Sequence, residues 1–355
     1  MEFIKIERNG KRWLLFPGNI KQSLCLFHPN NRKGKLFRSA IIVLHKLHCV
    51  TILPAVSVVN YELDKHIYKH LTIVYKCSCF DYSIYSNNDG ITTKQTIQVV
   101  NNGAILGYCH LSESDKLLPS FEYEQVVLNY LKRKSIIGIP DAQFIGIINN
   151  KALFCQSTKM TSNSKYCSSW NEKHSEFQKM LFSKTEIVLP FEHSDFYQLL
   201  LKFENITFRI KNNVNICVLK DGIQNVLNYY QNKDVHFCAC HWDFAPWNMF
   251  VEKDKLFVFD WEYAKITFPP FIDYYHFITQ NCILAKGITD PDNVYNVYIN
   301  DKHKIKSFIP NPDMTYLCYL VAILIFYFSK HKGFSEEDKS CQCWLGLMNI
   351  INHRI

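Results

Sequence analysis

The chain has 355 residues, 48% of them hydrophobic and 15% aromatic, so it can bury one large or two modest cores and is predicted to be a folded globular protein. The formal net charge of +8 suits an anionic ligand, a membrane surface or a nucleic acid equally well, so charge alone does not decide between these classes of partner. Fourteen cysteines without regular spacing, and no hydrophobic leader after Met1, favour the reducing cytosol over a secreted disulfide scaffold.

Three cysteine pairs have C-x-C spacing and lack the C-x-x-C spacing typical of zinc ribbons, so a metal site in them is not expected. The longest apolar run, Tyr316 to Phe328, is shorter than the roughly 20 residues that a membrane-spanning helix needs. This run is predicted to be a buried helix. A nucleic-acid partner is not expected either, because the sequence contains no recognition motif and no platform of interleaved aromatic and basic residues.

Residues 1–70 are interpreted as an N-terminal extension of unknown role. Within it, apolar residues recur at helical spacing in residues 35–48, KLFRSAIIVLHKLH, with basic residues largely off that face. The pattern predicts a helix that packs on its own protein. A basic amphipathic helix can also lie on an anionic membrane, so peripheral membrane association through residues 35–48 is kept as an alternative.

In residues 71–158, apolar and polar residues alternate, and this pattern indicates strands. Residues 93–100 and 104–111 flank the turn Asn101, Asn102, Gly103, which is a strong hairpin signal. Residues 120–131 have a helical apolar face, and residues 142–148 and 152–155 are predicted to form two further strands. The remaining residues, 159–355, contain several helical patches and the most informative motif of the chain.

That motif is the stretch from Cys240 to Tyr263, CHWDFAPWNMFVEKDKLFVFDWEY. Two short apolar runs, 249–251 and 256–259, are separated by the polar turn 252–255 and predict a β-hairpin. Asn248 stands before the first strand and Asp260 after the second, so antiparallel pairing places an amide oxygen beside a carboxylate. Oxygen ligands of this kind suit Mg²⁺.

His241, Asp243 and Asn248 form the pattern H-x-D-x-x-x-x-N, followed by an apolar strand and Phe-Asp-Trp-Glu. The stretch resembles the catalytic loop and metal-binding motif of protein-kinase-like phosphotransferases, in the branch that contains aminoglycoside phosphotransferases and choline kinases. The resemblance implies that Asp243 is the catalytic base, and that Asn248 and Asp260 hold Mg²⁺. It implies a supporting role for His241, and for Asp273 as an anchor of the catalytic loop.

The resemblance also implies an α+β, two-lobed protein-kinase-like fold, with a small β-rich N-lobe at 71–158, a larger mainly helical C-lobe at 159–355, and ATP·Mg²⁺ between them. Residues 82–90 stand where this family has its nucleotide-covering loop, which suggests roles for Ser86 and Gly90. Glu124 matches the helix glutamate that pairs with a strand lysine, and residues 156–159, beginning with Gln156, match the hinge that receives adenine.

One position departs from the family pattern, because His110 stands where the phosphate-binding lysine is expected. A histidine is mostly neutral at pH 7. Either His110 is held protonated by Glu124 and the phosphates, or Lys94 or Lys116 replaces the lysine, or ATP binds weakly. Lys94 is the first of the substitutes, because side chains of adjacent strands can reach one site.

The function that the resemblance implies is transfer of the γ-phosphoryl group of ATP to a hydroxyl of a small molecule. The N-terminal segment more weakly resembles that of phosphotransferase-like proteins of bacterial surface-polysaccharide synthesis, which favours a sugar or cell-envelope precursor as acceptor. The alternatives are a catalytically weak or inactive kinase-like scaffold in such a pathway, suggested by His110 and the glycine-poor loop, and a peripheral membrane adaptor.

Overall fold

The computed structural model describes residues 1–8, 10–27, 32–87, 94–207, 214–305 and 309–355. The strands, in chain order, are β1 Glu2–Arg8, β2 Lys11–Leu15, β3 Val56–Asn60, β4 Asp81–Asn87, β5 Lys94–Asn101, β6 Ala104–Ser112, β7 Ala142–Ile148, β8 Lys151–Ser157, β9 Ile187–Pro190, β10 Asp234–Cys240, β11 Met249–Glu252, β12 Lys255–Val258 and β13 Lys265–Phe268.

The helices, in chain order, are α1 Ile20–Ser23, α2 Arg32–Lys46, α3 Lys65–Val74, α4 Leu118–Arg133, α5 Glu172–Thr185, α6 Asp195–Thr207, α7 Val214–Tyr230, α8 Ile272–Gln280, α9 Pro291–Ile305, α10 Pro312–His331 and α11 Lys339–Asn352. A turn of π-helix, Asn281–Ala285, continues α8.

The chain divides into two compact units. Unit 1 comprises Met1–Arg133, Ile137–Cys167 and Met249–Glu262, and unit 2 comprises Lys134–Ile136, Ser168–Asn248 and Tyr263–Ile355. Unit 1 is built on an antiparallel sheet of order β3-β1-β2-β4-β5-β6-β8-β7, together with the separate hairpin β11–β12. Unit 2 is mainly helical and contains the sheet β13-β10-β9. This division into a β-rich part and a helical part confirms the predicted fold class.

The predicted boundaries at residues 70 and 158 do not coincide with the limits of these units. Strands β1, β2 and β3 of the N-terminal segment belong to the same sheet as β4 to β8, so residues 1–70 are not a separate extension. The hairpin β11–β12 belongs to unit 1 although the residues before it belong to unit 2. A continuous sheet buries backbone groups that a separate segment would expose, which explains why the added strands join it.

Side chains of the sheet enter two apolar clusters. In β1, Phe3 enters a cluster with Ile67 and Leu71 of α3, whereas Ile4 and Ile6 enter another that includes Ile41 of α2. This split follows from the period of two along a strand, because successive side chains point to opposite faces. The N-terminal segment therefore contributes to both clusters.

The predicted hairpins are confirmed. Asn102 and Gly103 connect β5 and β6 with φ values of 48° and 75°, as a two-residue turn of this twist requires. The hairpin β11–β12 turns at Lys253 and Asp254, which have φ values of 46° and 65°. That turn is two residues long, shorter than the four-residue turn expected from the polar run.

The helix predicted at 35–48 is α2, and its apolar residues are divided between the interior and the surface. Ile41 is buried and Phe37 packs against the same cluster, whereas Leu36 is 72% and Leu47 65% exposed. The predicted single apolar face is therefore only partly a core face. Membrane association through this helix stays a prediction.

Helix α10 contains the long apolar run and is buried, as predicted. By length and composition it is long and apolar enough to cross a membrane, but 83% of its most apolar 18-residue window is buried inside the protein. Tyr316, Leu317 and Leu320 are fully buried. The helix is therefore a core element of unit 2.

Candidate active site

A basic and acidic cluster lies in unit 1, at the first residue of β5 and just after β12. Lys94 Nζ lies 3.0 Å from Glu262 Oε2 and 3.7 Å from Asp260 Oδ1. Burial lowers the pKa of Lys94, but the negative charges of Asp260 and Glu262 outweigh burial and raise it above its ordinary value. Lys94 is therefore a permanent cation beside the predicted metal ligand Asp260.

Glu124 lies on α4 with no exposed surface, and its Oε1 accepts hydrogen bonds from Gln156 Nε2 at 2.9 Å and from the Trp261 backbone N–H at 3.1 Å. Its other oxygen, Oε2, has no hydrogen-bond partner among the described residues. Burial raises the pKa of Glu124 to about 8, and the charge of Lys94 opposes this shift. At neutral pH the side chain is therefore mainly a neutral acid that holds Gln156 and the segment after β12.

Replacing Glu124 with Gln should stabilise the protein increasingly as the pH rises from 5 to 8.5. The folded-state pKa lies above the unfolded value, so the folded protein retains a proton that the unfolded chain releases, and folding loses stability as the pH rises through this interval. Gln mimics the protonated acid. Relative to wild type, the gain between the two pH values should be at least about 1.4 kcal/mol, the equivalent of one pKa unit.

Urea unfolding of both proteins at pH 5, 7 and 8.5 measures this gain. The matched control is Glu122→Gln on the exposed face of the same helix, which should show no growth of the difference with pH. A pH-independent difference for Glu124→Gln would show that Glu124 is ionised in the folded protein.

His110 lies near the C-terminal end of β6, and its ring is 6.4 Å from the ring of Phe121 and 6.4 Å from that of Phe154, which lie next to each other. Its Nδ1 lies 3.2 Å from Thr96 Oγ1. Burial, together with the positive charge of Lys94, lowers the pKa of His110 well below its ordinary value. In this state of the protein the ring is therefore neutral at pH 7, and protonation of His110 by Glu124 and the phosphates stays a prediction.

Of the two substitutes for the missing lysine, Lys94 lies in the acidic cluster and Lys116 does not. Lys116 is exposed in the helical turn Asp115–Leu117. The geometry therefore favours Lys94, which approaches Asp260 from the strand next to the one that holds His110.

The segment predicted as a nucleotide-covering loop begins as strand β4. Ser86 lies in that strand, is buried, and accepts a hydrogen bond from Arg12 Nε at 3.3 Å, so it is not a loop residue. Gly90 lies outside the described residues. Gln156, predicted at the hinge, lies in β8 with its side chain on Glu124.

The predicted catalytic loop lies in unit 2, directly after β10. Asp243 Oδ2 accepts a hydrogen bond from Asn248 Nδ2 at 2.7 Å, and its Oδ1 lies 3.0 Å from His276 Nε2. Burial raises the pKa of Asp243, but the hydrogen bond and charge of His276, with His241 and Asn248, outweigh burial and lower it below the ordinary value. Asp243 is therefore an ionised carboxylate at neutral pH, with its side chain 31% exposed.

Asp273 anchors this loop by accepting two hydrogen bonds from successive backbone groups. Its Oδ2 accepts from His241 N at 2.8 Å and its Oδ1 from Trp242 N at 2.9 Å, and the carboxylate is fully buried in the first turn of α8. Trp242 has a left-handed backbone, φ 70°, which is unfavourable for a bulky residue. The two hydrogen bonds hold that conformation.

Removing the Asp273 anchor should destabilise the protein by an amount that depends on how many hydrogen bonds the substitution breaks. Asp273→Ala leaves three donors unpaired, namely the two backbone N–H groups and Gln178 Nε2, at about 1–3 kcal/mol for each, whereas Asp273→Asn keeps one acceptor oxygen and leaves fewer donors unpaired. Guanidinium unfolding of the two variants should show a larger loss of stability for Ala than for Asn. Equal losses would mean that the carboxylate charge, rather than the two hydrogen bonds, supports the loop.

His241 and His276 support the catalytic loop in different ways. His241 is fully buried, and its Nδ1 accepts the hydrogen bond from the Asp243 backbone N–H at 3.2 Å, which fits the predicted supporting role. His276 was missed by sequence reasoning. It lies three residues after Asp273 on α8 and therefore shares its face of the helix. That spacing is the signal that could have identified it.

Asp260 and Asn248 supply the carboxylate and amide oxygens that a hard cation such as Mg²⁺ prefers. Because Asn248 Nδ2 is committed to Asp243, its Oδ1 is the atom suited to ligation. Across the described part of the chain, His, Cys, Asp and Glu residues form no group of three or more that could hold a metal by itself. Asp260 in unit 1 and Asn248 in unit 2 thus each have an oxygen of the kind that the predicted metal would need.

A cavity of about 280 Å³ in unit 2 opens beside Asp243. Its lining residues are mostly aromatic or basic, and they come from the catalytic loop, the start of unit 2 after Glu262, α8, α10 and α11: Trp242, Asp243, Tyr263, His276, Gln280, Ile323, Phe326, Tyr327, Lys330, His331 and Trp344. The carboxylate thus faces a space in which a small acceptor can lie.

Solved structures identify the architecture. A thermostable mutant of aminoglycoside phosphotransferase APH(4)-Ia, in ternary complex with ADP and hygromycin B, superposes with a TM-score of 0.55 at 10% identity, covering 81% of this chain and 98% of that one. The chain has the protein-kinase-like fold. Another similar structure is the choline kinase LicA from Streptococcus pneumoniae, which is 12% identical, covers 74% of this chain and 90% of its own, and has a TM-score of 0.48. A putative fructosamine-3-kinase from Haemophilus somnus is 14% identical, covers 81% of this chain and 97% of its own, and has a TM-score of 0.47. No protein-family model and no curated protein sequence matches the chain.

Proposed function

We propose that this protein is a small-molecule kinase that transfers the γ-phosphoryl group of ATP to a hydroxyl group. The observation that carries the proposal is the ionised carboxylate of Asp243, oriented by Asn248 and His276 at the edge of a cavity. The fold supports it, because small-molecule phosphotransferases share this architecture. ATP, Mg²⁺ and the acceptor are parts of the proposal.

In the proposed reaction, Asp243 accepts the proton of the acceptor hydroxyl as the acceptor oxygen bonds to the γ-phosphorus and the bond from that phosphorus to ADP breaks. His276 Nε2 donates to Asp243 Oδ1, since an ionised carboxylate can only accept, and this fixes the rotamer of the base. Such a site works mainly by positioning and electrostatic stabilisation.

Lys94, Asp260 and Asn248 are proposed to bind the phosphates and the metal. Bound Mg²⁺ would neutralise the charge that develops on the phosphates. Lys94 would contact phosphate oxygens in the place of the family lysine, and Asp260 and Asn248 Oδ1 would be the protein ligands of the cation. Gly90 and the hinge residues 156–159 are proposed to contact the nucleotide.

The localisation is proposed to be cytosolic. The support for this proposal is the fourteen cysteines without regular spacing, which are typical of a reducing compartment.

Transfer of label from γ-labelled ATP to a panel of hydroxyl compounds, with Mg²⁺ and with EDTA, tests the proposed activity. We expect metal-dependent labelling of at least one class of acceptor. If the protein neither binds ATP·Mg²⁺ nor labels any acceptor, the inactive-scaffold alternative replaces the kinase.

A further inference from the structure

The cavity beside Asp243 limits the size of the acceptor. Its volume of about 280 Å³ lies just below the range of roughly 300–1,000 Å³ found for sites of drug-sized ligands. An acceptor of one sugar ring is compatible with this volume, whereas a compound of several rings would have to extend out of it.

Rigid aromatic side chains form much of the wall. The Tyr327 ring packs against Trp344 at 5.8 Å, and its hydroxyl donates to Asp338 Oδ2 at 2.9 Å. Tyr263 and Phe326 pack edge to face at 5.4 Å. Aromatic faces of this kind can cover the C–H faces of a sugar or surround an organic cation, so they do not decide between these two ligands.

The charges of the lining residues decide between a sugar and an organic cation. Among the described lining residues, Asp243 is the only carboxylate, whereas Lys330 and His331 both lie at the rim formed by the end of α10. Lys330 Nζ lies 6.0 Å from the Phe326 ring centroid, so a protein cation already lies near that aromatic wall. A cationic acceptor would be repelled by Lys330, and an anionic one would be attracted.

The position of Lys330 has a second physical reason, because basic residues near the C-terminus of a helix interact favourably with its macrodipole. Lys332 follows the same helix end and does not line the cavity. Comparing these two lysines therefore separates the effect of charge at the helix end from that of charge at the cavity.

We propose that the acceptor is a polyol the size of one sugar ring that carries a carboxylate or a phosphate. Its anionic group would lie at Lys330, its ring against Tyr327 and Tyr263, and its reacting hydroxyl at Asp243. The indole N–H of Trp344, a buried donor without a partner among the described residues, would supply a hydrogen bond to an acceptor oxygen. This inference rests on the proposed kinase function for the role of Asp243.

Ligand-observed NMR titrations of the full chain without nucleotide test the inference with glucuronate, glucose 6-phosphate, glucose, choline and hygromycin B. We expect glucuronate or glucose 6-phosphate to bind at least about tenfold more tightly than glucose and than either cation. Preference for glucuronate identifies a carboxylate, and preference for glucose 6-phosphate identifies a phosphate. Lys330→Gln should weaken the preferred anion about tenfold, and Lys332→Gln should leave its affinity unchanged.

Three results would overturn the inference: tightest binding of choline or hygromycin B, equal binding of glucose and its acidic derivatives, or no binding of either anion by wild type. An equal loss of affinity for the anion in Lys330→Gln and in Lys332→Gln would also contradict the inference. Because nucleotide is absent, these failures are distinct from failure of the kinase proposal, which is judged separately by ATP·Mg²⁺ binding. Binding of an acidic sugar without any ATP binding would support the site and refute the kinase.

Discussion

Replacing Asp243 with Asn should reduce phosphoryl transfer by about 10²–10⁴-fold while leaving ATP·Mg²⁺ binding within about threefold of wild type. A positioned general base contributes typically about 10²–10⁴-fold, and an amide cannot accept the hydroxyl proton. The side chain also loses the charge that His276 and Asn248 stabilise in the folded protein. Initial rates of label transfer, together with calorimetric titration of nucleotide, measure both effects.

His276→Gln provides the matched comparison for this experiment. A glutamine amide can still donate a hydrogen bond to Asp243, so we expect a smaller loss of rate than in Asp243→Asn, with nucleotide affinity unchanged. Full turnover by Asp243→Asn would remove Asp243 as the base. A loss of nucleotide binding equal to the loss of rate would instead assign Asp243 to binding.

Replacing Lys94 with Met should weaken ATP·Mg²⁺ binding by about 100-fold. Met keeps most of the length of the side chain and removes the cation, which we propose contacts phosphate oxygens through charge-assisted hydrogen bonds worth about 1.5–3 kcal/mol. The substitution also leaves Asp260 and Glu262 without the lysine that lies within 4 Å of both, which adds repulsion against the phosphates. Calorimetric titration with a non-hydrolysable ATP analogue measures the effect.

His110→Gln and Lys116→Met are the controls for Lys94. His110 is neutral and lies near the rings of Phe121 and Phe154, and Lys116 is exposed away from the cluster, so both variants should bind nucleotide within about threefold of wild type. If His110→Gln abolished binding and Lys94→Met did not, the histidine would be the phosphate ligand after all.

The sequence predicted the local elements well where the pattern and the turn chemistry agree. The hairpin β5–β6 lies where the Asn-Asn-Gly turn placed it, and α10 is buried as its apolar run required. The motif from His241 to Asn248 could be identified because its residues are close in the chain and depend on one loop.

Contacts between distant residues were beyond such reasoning. His276 reaches Asp243 from 33 residues away, and Glu124 binds the Trp261 backbone from 137 residues away, so tertiary packing alone determines both. The family resemblance implied a nucleotide-covering loop at residues 82–90, whereas residues 82–87 belong to strand β4. In the structure Ser83 is fully buried, donates a hydrogen bond to Ser23 Oγ and accepts one from the Phe16 N–H. These two hydrogen bonds offset the free-energy cost of burying the hydroxyl group in a strand.

The ionisation states of Lys94, His110 and Glu124 could not be read from residue types either. Each depends on burial and on the charges of neighbours that only the fold brings together. The same is true of the cavity, whose walls come from segments that are far apart in the sequence.

The most direct test of a working nucleotide site is a thermal-shift titration with ATP and GTP, each with and without Mg²⁺, on wild type and on Asp260→Ala. A ligand that binds only the folded state stabilises it by about 2.7 kcal/mol at 100 times its Kd, which is readily measured. We predict metal-dependent stabilisation of wild type that is lost in Asp260→Ala. No shift of wild type at millimolar nucleotide, or an equal shift in the variant, would contradict a site built on Asp260.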